Sequence, residues 1–431
     1  MQRKLLMVFT ALCVVAGPGV GFAGEVDVLV QKLVDKGILT PYEAQIVLDD
    51  TKQEVAKQNA KGTNEAIPSW IQTVKIKGDL RARYQMDSSK NAKTENRGRM
   101  RMRLGVEAKP NDKMKVGIGL ASGNTGDPRS TNSTWGKAVT ATNPGGTAGL
   151  ILDYAYGEYR PMPEVALTAG KFKLPLWQPN DMLWDTDLNP DGLAAQLDFA
   201  PAQGLDVYLN NLVFVMMEDR NSDYSDPVML AVQPGFKYAI TDSILLQGAL
   251  AYYRNTNLGN RAIFSNSSYS TNTSDVKAIN GVSATRYRYN YDAIQPSAEI
   301  VIDSPFGEKS LPMIAFSGDY INNLSMNKGL NGRDGWDAAV KFGDKKVSEK
   351  GQWQSKLIYA RLGRDAFLDV FPDSDRYAGR TNMKSYEAIL EYGLGKNTSL
   401  GLDYYYGESL SRSGATTNPA QVFQLDWNLK F

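Results

Sequence analysis

The stretch "RGRMRMRLGVEA", residues 97–108, places Arg97, Arg99, Arg101 and Arg103 at every second position, with Met100, Met102, Leu104 and Val106 on the alternate ones. The preceding "VKIKGDLRARYQM" has the same texture. Lys75, Lys77, Asp79, Arg81, Arg83 and Gln85 share one face, and Val74, Ile76, Leu80, Ala82, Tyr84 and Met86 share the other. A period of two is that of a β-strand, so each segment carries charge on one side and hydrocarbon on the other. The chemistry open to such a row is electrostatic: it attracts anions and orders water. A second set of groups lies between Leu174 and Gly192, where Asp181, Asp185, Asp187 and Asp191 stand among Trp177, Trp184 and Pro190. Within it, "DTDLNPDG" offers oxygen from Asp185, Asp187, Asn189 and Asp191 at alternate positions, which suits calcium. It departs from an EF-hand loop, because Gly192 comes eighth rather than sixth and Pro190 intervenes.

Composition closes other routes. The 431 residues include no histidine and a single cysteine, so metal and thiol chemistry lack their usual ligands, and a serine nucleophile lacks its usual base. Apart from the calcium spacing no cofactor is expected, and the chain reads as no enzyme. With 48 basic and 47 acidic residues the chain is nearly neutral, which argues against a nucleic-acid partner and makes the arginine row a local feature. The glycines of "VGIGLASG" alternate within a strand with no helix following, so they form no phosphate loop. Tyrosine, at 22 residues, and tryptophan, at seven, suit a protein at water–hydrocarbon boundaries.

The elements that must position these residues follow from hydropathy. Residues 1–23 read as an export signal: Arg3 and Lys4, an apolar run from Leu5 to Val15 that contains Cys13, and a small-residue exit at Gly21-Phe22-Ala23. Residues 24–58 read as helical. Val26, Leu29, Val30, Leu33 and Val34 recur at helical spacing, Gly37 stops the run, and Thr40, Pro41 and Glu43 start a second one carrying Ala44, Val47, Leu48 and Val55. The expected product is a periplasmic helical hairpin or coiled coil that associates with other subunits, joined by a polar linker at 59–69 to residues 70–431.

Nothing after residue 23 approaches the ~20 apolar residues of a membrane helix, so a membrane would be crossed by a barrel. Five arginines facing lipid (Arg81, Arg83, Arg99, Arg101 and Arg103) at about 2–4 kcal/mol each would cost on the order of 10 kcal/mol, a whole domain's stability. They must face a wet interior. Short turns are expected near residues 110–112, 161–163, 201–203, 241–243, 304–309, 344–351 and 396–397. Long loops are expected near 87–97, 123–149, 174–191, 217–227, 255–289, 323–335, 364–383 and 409–420. That alternation predicts an all-β, antiparallel up-and-down transmembrane barrel of 16 strands with both ends on the short-turn side. "VFQLDWNLKF" closes the chain as an alternating strand ending on Phe431, similar to the assembly signal of bacterial outer-membrane proteins. "RYRYNY" (286–291) and "LDYYYGE" (402–408) read as parts of an aromatic girdle, and Asn255 to Thr285 as a surface loop.

"LDYAYGEYRP" and "LTAGKFKLPLWQPNDMLWDTDLNPDGLAAQ", within residues 152–196, resemble the core of the bacterial "putative porin" family, and Lys36 to Ala44 is similar to that family's leader. The resemblance implies a general-diffusion or weakly selective porin, trimeric, in the outer membrane of a Gram-negative bacterium. It supplies neither catalytic residues nor a solute. The acidic loop follows the fifth strand, where many 16-stranded porins fold a loop into the lumen. Asp181, Asp185, Asp187 and Asp191 are therefore expected to face a pore wall of Lys75, Lys77, Arg81, Arg83, Arg99, Arg101 and Arg103, giving a transverse field and a tilt toward anions. The partners expected are outer-membrane lipid, small hydrophilic solutes and ions, two further copies of the chain, and peptidoglycan through residues 24–58. The alternative reading is an anchor or peptidoglycan tether whose barrel is closed.

Overall fold

The computed structural model describes Thr40, Ala44 and residues 74–90, 92–123, 126–136, 149–218, 226–260, 264, 271–279, 282–307, 310–411 and 418–431. The export signal, helical segment and linker expected at 1–23, 24–58 and 59–69 lie outside the described residues apart from Thr40 and Ala44.

Sixteen strands form one closed antiparallel barrel: β1 Lys75–Ser89, β2 Glu95–Asn111, β3 Met114–Ser122, β4 Leu150–Met162, β5 Val165–Lys171, β6 Asp191–Ala202, β7 Leu205–Val215, β8 Val228–Thr241, β9 Ile244–Thr256, β10 Ala293–Asp303, β11 Met313–Asn323, β12 Asp334–Gly343, β13 Trp353–Leu362, β14 Met383–Gly395, β15 Thr398–Ser409 and β16 Ala420–Lys430. Each pairs with its sequence neighbours, and β1 closes the ring on β16 from Asp79↔Lys430 to Ser89↔Ala420. The seven short turns and eight longer connections fall where the sequence puts them. The connection between β1 and β2 is shorter than its polar composition suggests, because Asp87 pairs with Glu95 in register and binds Arg97, which keeps the polar residues in strands.

Closure is sealed at the chain end. The Gly78 amide donates to the Phe431 carbonyl at 2.9 Å, and the Phe431 amide returns the bond at 3.0 Å. A Cβ on Gly78 would stand 2.6 Å from the Phe431 ring and 2.5 Å from the Arg103 carbonyl, so only glycine lets the ring lie flat on β1.

Alternation then sorts the faces. Ile76, Leu80, Tyr84, Met100, Met102, Leu104 and Val106 are exposed on the outer wall, as a lipid-facing surface requires, while their neighbours point inward. No helix among the described residues is long and apolar enough to cross a membrane.

The lumen is far from empty. Loop residues of 172–190, 258–291 and 363–382 pack with inward residues of β6–β11 and β13 into one hydrophobic cluster that includes Trp184, Tyr253, Tyr287, Tyr291, Phe367 and Phe371. Tyr287 and Tyr291 are fully buried there, which removes them from the expected girdle: at the long-loop end an apolar loop face, not lipid, covers them. Likewise the stretch 255–285 is not wholly a surface loop, since Thr271, Asn272 and Thr273 bond to Asp365 and Asp369 of the loop 363–382. In "LDYYYGE" Tyr405 is buried, whereas Tyr404 and Tyr406 are half-buried.

Candidate functional site

The register of β1 on β2 sets Arg81 opposite Arg101, Arg83 opposite Arg99, and Asp79 opposite Arg103. Two like-charged pairs on one face would drive the strands apart unless countercharges reach them. They do. Asp79 accepts from Arg101 Nε at 2.9 Å and from Arg103 Nε at 2.7 Å. Asp426, opposite Arg83 on β16, accepts from Arg83 Nε and Nη2 at 2.7 and 2.8 Å and lies 3.6 Å from Arg81. Arg99 donates to Gln85 at 2.8 Å, and Arg81 to Asn132 at 2.6 Å. Lys75 and Lys77 do not belong to this cluster. They sit exposed at the short-turn end, where Lys77 pairs with Glu107 at 2.8 Å.

The loop 172–190 crosses toward this wall. It is tied on one side by the Trp177 amide to Gln233 at 2.7 Å, by Asn180 to Asp337 at 2.6 Å, and by Lys356 to the Pro179 carbonyl at 3.0 Å. Trp184, 1% exposed, stacks on Phe371 with ring centroids 4.6 Å apart and donates to the Tyr253 hydroxyl at 3.3 Å. On the other side Asp187 binds Arg103 at 3.2 Å and accepts from the Thr131 amide and hydroxyl. Asp185 accepts from the Asp187 and Ser374 amides at 2.9 and 2.8 Å. Asp181 binds Arg376 at 2.7 Å. Asp191 departs from the expectation: it opens β6, pairs with Lys171 at 3.0 Å and stays exposed, off the charged cluster.

The second inner loop, 363–382, was not anticipated as part of the site. It brings Asp373, Asp375 and Arg376 to the same place. Arg83 Nη1 reaches Asp375 at 3.0 Å, and Arg376, fully buried, is held by Glu387 of β14, Asp181 and Ser385. Arg129, from the connection between β3 and β4, pins this loop by donating to the carbonyls of Asp369, Pro372 and Gly379 at 3.3, 3.4 and 3.2 Å. The signal was there in the sequence: Ala366, Phe367, Leu368, Val370 and Phe371 are too apolar for a solvated loop.

These groups surround a cavity of about 190 Å³, lined by the acidic Asp181, Asp185, Asp187, Asp373, Asp375, Glu387 and Asp403 and by the basic Arg81, Arg83, Arg101 and Arg129. A wider cavity of about 580 Å³ opens at the long-loop end and is lined by Ser88, Ser89, Glu95 and Arg97. The two share Arg129, Ser374, Asp375 and Tyr405. Burial, reinforced by Asp187, pushes the Asp185 carboxyl up to about 8. Burial and the neighbouring aspartates raise Asp373 well above the usual range. Burial acts the same way on Asp375, but the guanidinium groups of Arg83 and Arg99 outweigh it and hold that carboxyl below its ordinary value.

The four residues at calcium-like spacing do not converge. Asp185 is spent on backbone amides, Asp187 on Arg103 and Thr131, and Asp191 on Lys171, so the three carboxylates have different partners, while Asn189 donates its amide to Asp153 at 2.6 Å. Among the described residues no group of three or more acidic, histidine or cysteine side chains could hold a metal ion.

Known proteins bear on most of the chain. A family model described as "Putative porin" matches residues 86–294 and 287–431. No curated protein matches. Among solved structures, the high-pH form of Pseudomonas putida OprB is 11% identical, with 84% of this chain and 95% of that one covered at a TM-score of 0.53, a likeness of fold. Salmonella typhi OmpF in complex with daunomycin is 10% identical over 83% and 97% of the two chains at 0.47. A triple mutant of Rhodopseudomonas blastica porin is 10% identical over 83% and 100% at 0.42. The family is one of channels, and it implies the outer membrane of Gram-negative bacteria. A closed 16-strand barrel with a charged inner wall, matched by one family model over most of its length, places the chain in the "Putative porin" family.

Proposed function

We propose that the protein is a passive, weakly selective porin in which small hydrophilic solutes and ions enter the 580 Å³ cavity and are sieved at the 190 Å³ one. The observation that carries this reading is the sharing of Arg129, Ser374, Asp375 and Tyr405 by the two cavities, which sets a wide chamber and a narrow one in series along the arginine wall. Asp181, Asp185 and Asp187 form the constriction with Asp373 and Asp375, facing Arg81, Arg83, Arg99, Arg101 and Arg103. Acid on one side and base on the other produce a transverse field that orders water and orients dipolar solutes. Fixed charges do this without a cofactor. In this reading the short turns face the periplasm and the long loops the outside, which puts residues 24–58 in the periplasm, within reach of peptidoglycan or of neighbouring subunits in a trimer.

The test is single-channel recording of the refolded full chain in a planar bilayer under a salt gradient. Steady open conductance, closing in three equal steps for a trimer, is the expected result. A barrel that inserts but passes no current overturns the reading and favours an anchor.

A further inference from the structure

The arginine row draws attention to anions, but the ion pairs at the narrow cavity leave carboxylate oxygens unsatisfied as well as guanidinium Nε atoms. Arg83 is fully engaged by Asp426 and Asp375, and Arg101 and Arg103 share Asp79. The spare donors on the wall are the Nε atoms of Arg81 and Arg99, whose terminal nitrogens are already bonded to Asn132, Gln85 and Ser130. Among the carboxylates that line the cavity three keep a free oxygen, Asp403 at Oδ1 and two that belong or bind to the loop 363–382. Asp373 accepts the Asp375 amide through Oδ1 at 3.0 Å, and its Oδ2 has no donor from the protein. Glu387 engages Arg376 through Oε2, and its Oε1 has none. Both residues line the cavity and are almost closed off, at 8% and 3% exposure. A buried carboxylate oxygen without a donor is expensive and calls for one from whatever passes.

From this geometry, and resting on the porin reading above, we propose that the narrow cavity recognises an ammonium group, presented to Asp373 Oδ2 and Glu387 Oε1, so that the favoured solutes are small amines. An ammonium brings three donors and no acceptor, which matches free carboxylate oxygens, and its charge offsets the burial and neighbouring aspartates that favour the protonated form of Asp373; no converging set of ligands for a bare metal ion exists among the described residues. At about 190 Å³ the cavity has room for on the order of six waters, or an amine of a few heavy atoms. The ammonium has two sources, a free organic cation or a zwitterionic amino acid whose carboxylate turns to the arginine side.

Two measurements on the full chain separate them. One is the reversal potential in a gradient of ethanolammonium chloride. The other is swelling of proteoliposomes in glycine against glycolamide, a neutral solute of similar size. Ammonium recognition predicts that ethanolammonium outruns chloride and that glycine enters faster than glycolamide. Success of the first arm alone identifies free amines, and of the second alone, amino acids. In Asp373→Asn the affected ratio is expected to fall about threefold or more, the order that follows the loss of a charged acceptor in a wet site. Glu387→Gln should act likewise but can loosen the loop through Arg376, so Asp373→Asn decides. Chloride outrunning ethanolammonium together with equal entry of glycine and glycolamide overturns the proposal and leaves the porin intact. Ratios that stay high in Asp373→Asn overturn the site. Entry of no solute at all defeats the porin reading and this one with it.

Discussion

Two halves of the same lumen have opposite characters. Along β6–β11 and β13 the inward side chains near the long-loop end are apolar or small, among them Ala194, Leu212, Met229, Ala231, Ala251 and Ala360, and loop aromatics lie against them. Along β1, β2 and β14–β16 the inward residues are Arg81, Arg83, Arg101, Glu387, Asp403 and Gln424, and there the narrow cavity remains. Strand number sets the width of the barrel, but the inward residues decide how much of that width a loop can occupy. A loop face of Trp184, Phe367 and Phe371 gains about 1.5–3 kcal/mol for each large side chain buried, and it can do so only against a wall that leaves room and whose few polar groups, such as Tyr253 and Gln233, the loop itself satisfies. The arginine wall refuses the apolar face and takes the aspartates on its other side. The pore is thus what the loops cannot fill.

The comparison breaks most visibly if the dry half is emptied. Trp184→Ala removes the ring stacked on Phe371 and the bond to Tyr253. The expected loss is about 3–5 kcal/mol of docking energy, with the barrel retained because its ladder is untouched. The two inner loops should then detach, and single-channel conductance should rise severalfold with added noise. Conductance equal to that of the unmodified protein would mean that the loops do not limit flow.

A smaller effect sharpens the wet half, because two aspartates a short way apart titrate in opposite senses. Asp185, pushed up to about 8 by burial and by Asp187, carries a proton in the folded protein at neutral pH. Asp375, drawn down by Arg83 and Arg99 against burial, does not. The charges facing Asp185 are Asp181 and Asp187 on its own loop, Asp373, Asp375 and Arg376 on the other, Arg129 from the β3–β4 connection, and Arg81, Arg83, Arg101, Glu387 and Asp403 on the wall. Raising the pH through about 8 adds a negative charge at the constriction, so cation preference should grow between about pH 6 and 9, and Asp185→Asn should reduce the change, with Asp373 left as the other raised carboxyl there. The linkage has a definite sign. Between the unfolded value near 4 and about 8 the folded state holds a proton that the unfolded chain releases, so Asp185 makes stability fall as pH rises across that window. Asp375 contributes the reverse: its stabilisation is present above the unfolded value and is lost as pH falls through its lower folded one. Reversal potentials that do not move over this range would detach Asp185 from the pore.

How much of this was legible depends on the distance over which each feature is written. The strand period is local, so "RGRMRMRLGVEA" announced both its faces, and the spacing of turn residues gave the number of strands and the place of the loop after the fifth. Pairing is not local. Arg83 and Asp426 lie 343 residues apart, and Arg129 meets the Gly379 carbonyl across 250. Nothing in either neighbourhood names the other. Gly379 is a telling case: its φ of +69° and the Arg129 guanidinium lying where a Cβ would stand explain the glycine only after the fold is known. The apolar run in 363–382 is readable as a buried loop, but nothing in it names the wall it meets. Spacing alone also grouped Asp191 with its neighbours, and Lys75 and Lys77 with the arginines, because a face of a strand is longer than a site.

Asp191 therefore supplies the finest division of the comparison. It and Asp187 are four residues apart and were expected to act together, yet Asp187 lines the narrow cavity and bridges Arg103 to Thr131, whereas Asp191 makes an exposed pair with Lys171. An exposed ion pair is worth about 0–1 kcal/mol, while removing one partner of a largely buried pair costs several times that. Asp191→Asn should leave heat stability and ion preference within error of the unmodified protein. Asp187→Asn, which keeps the size of the side chain but frees Arg103, should shift the preference toward anions and lower stability by about 1–3 kcal/mol. Equal effects from the two would return the constriction to the strand–loop junction, where alternation alone had put it. Unequal effects in this order would mean that the selecting field is set by where the loop docks, not by how many acids it carries.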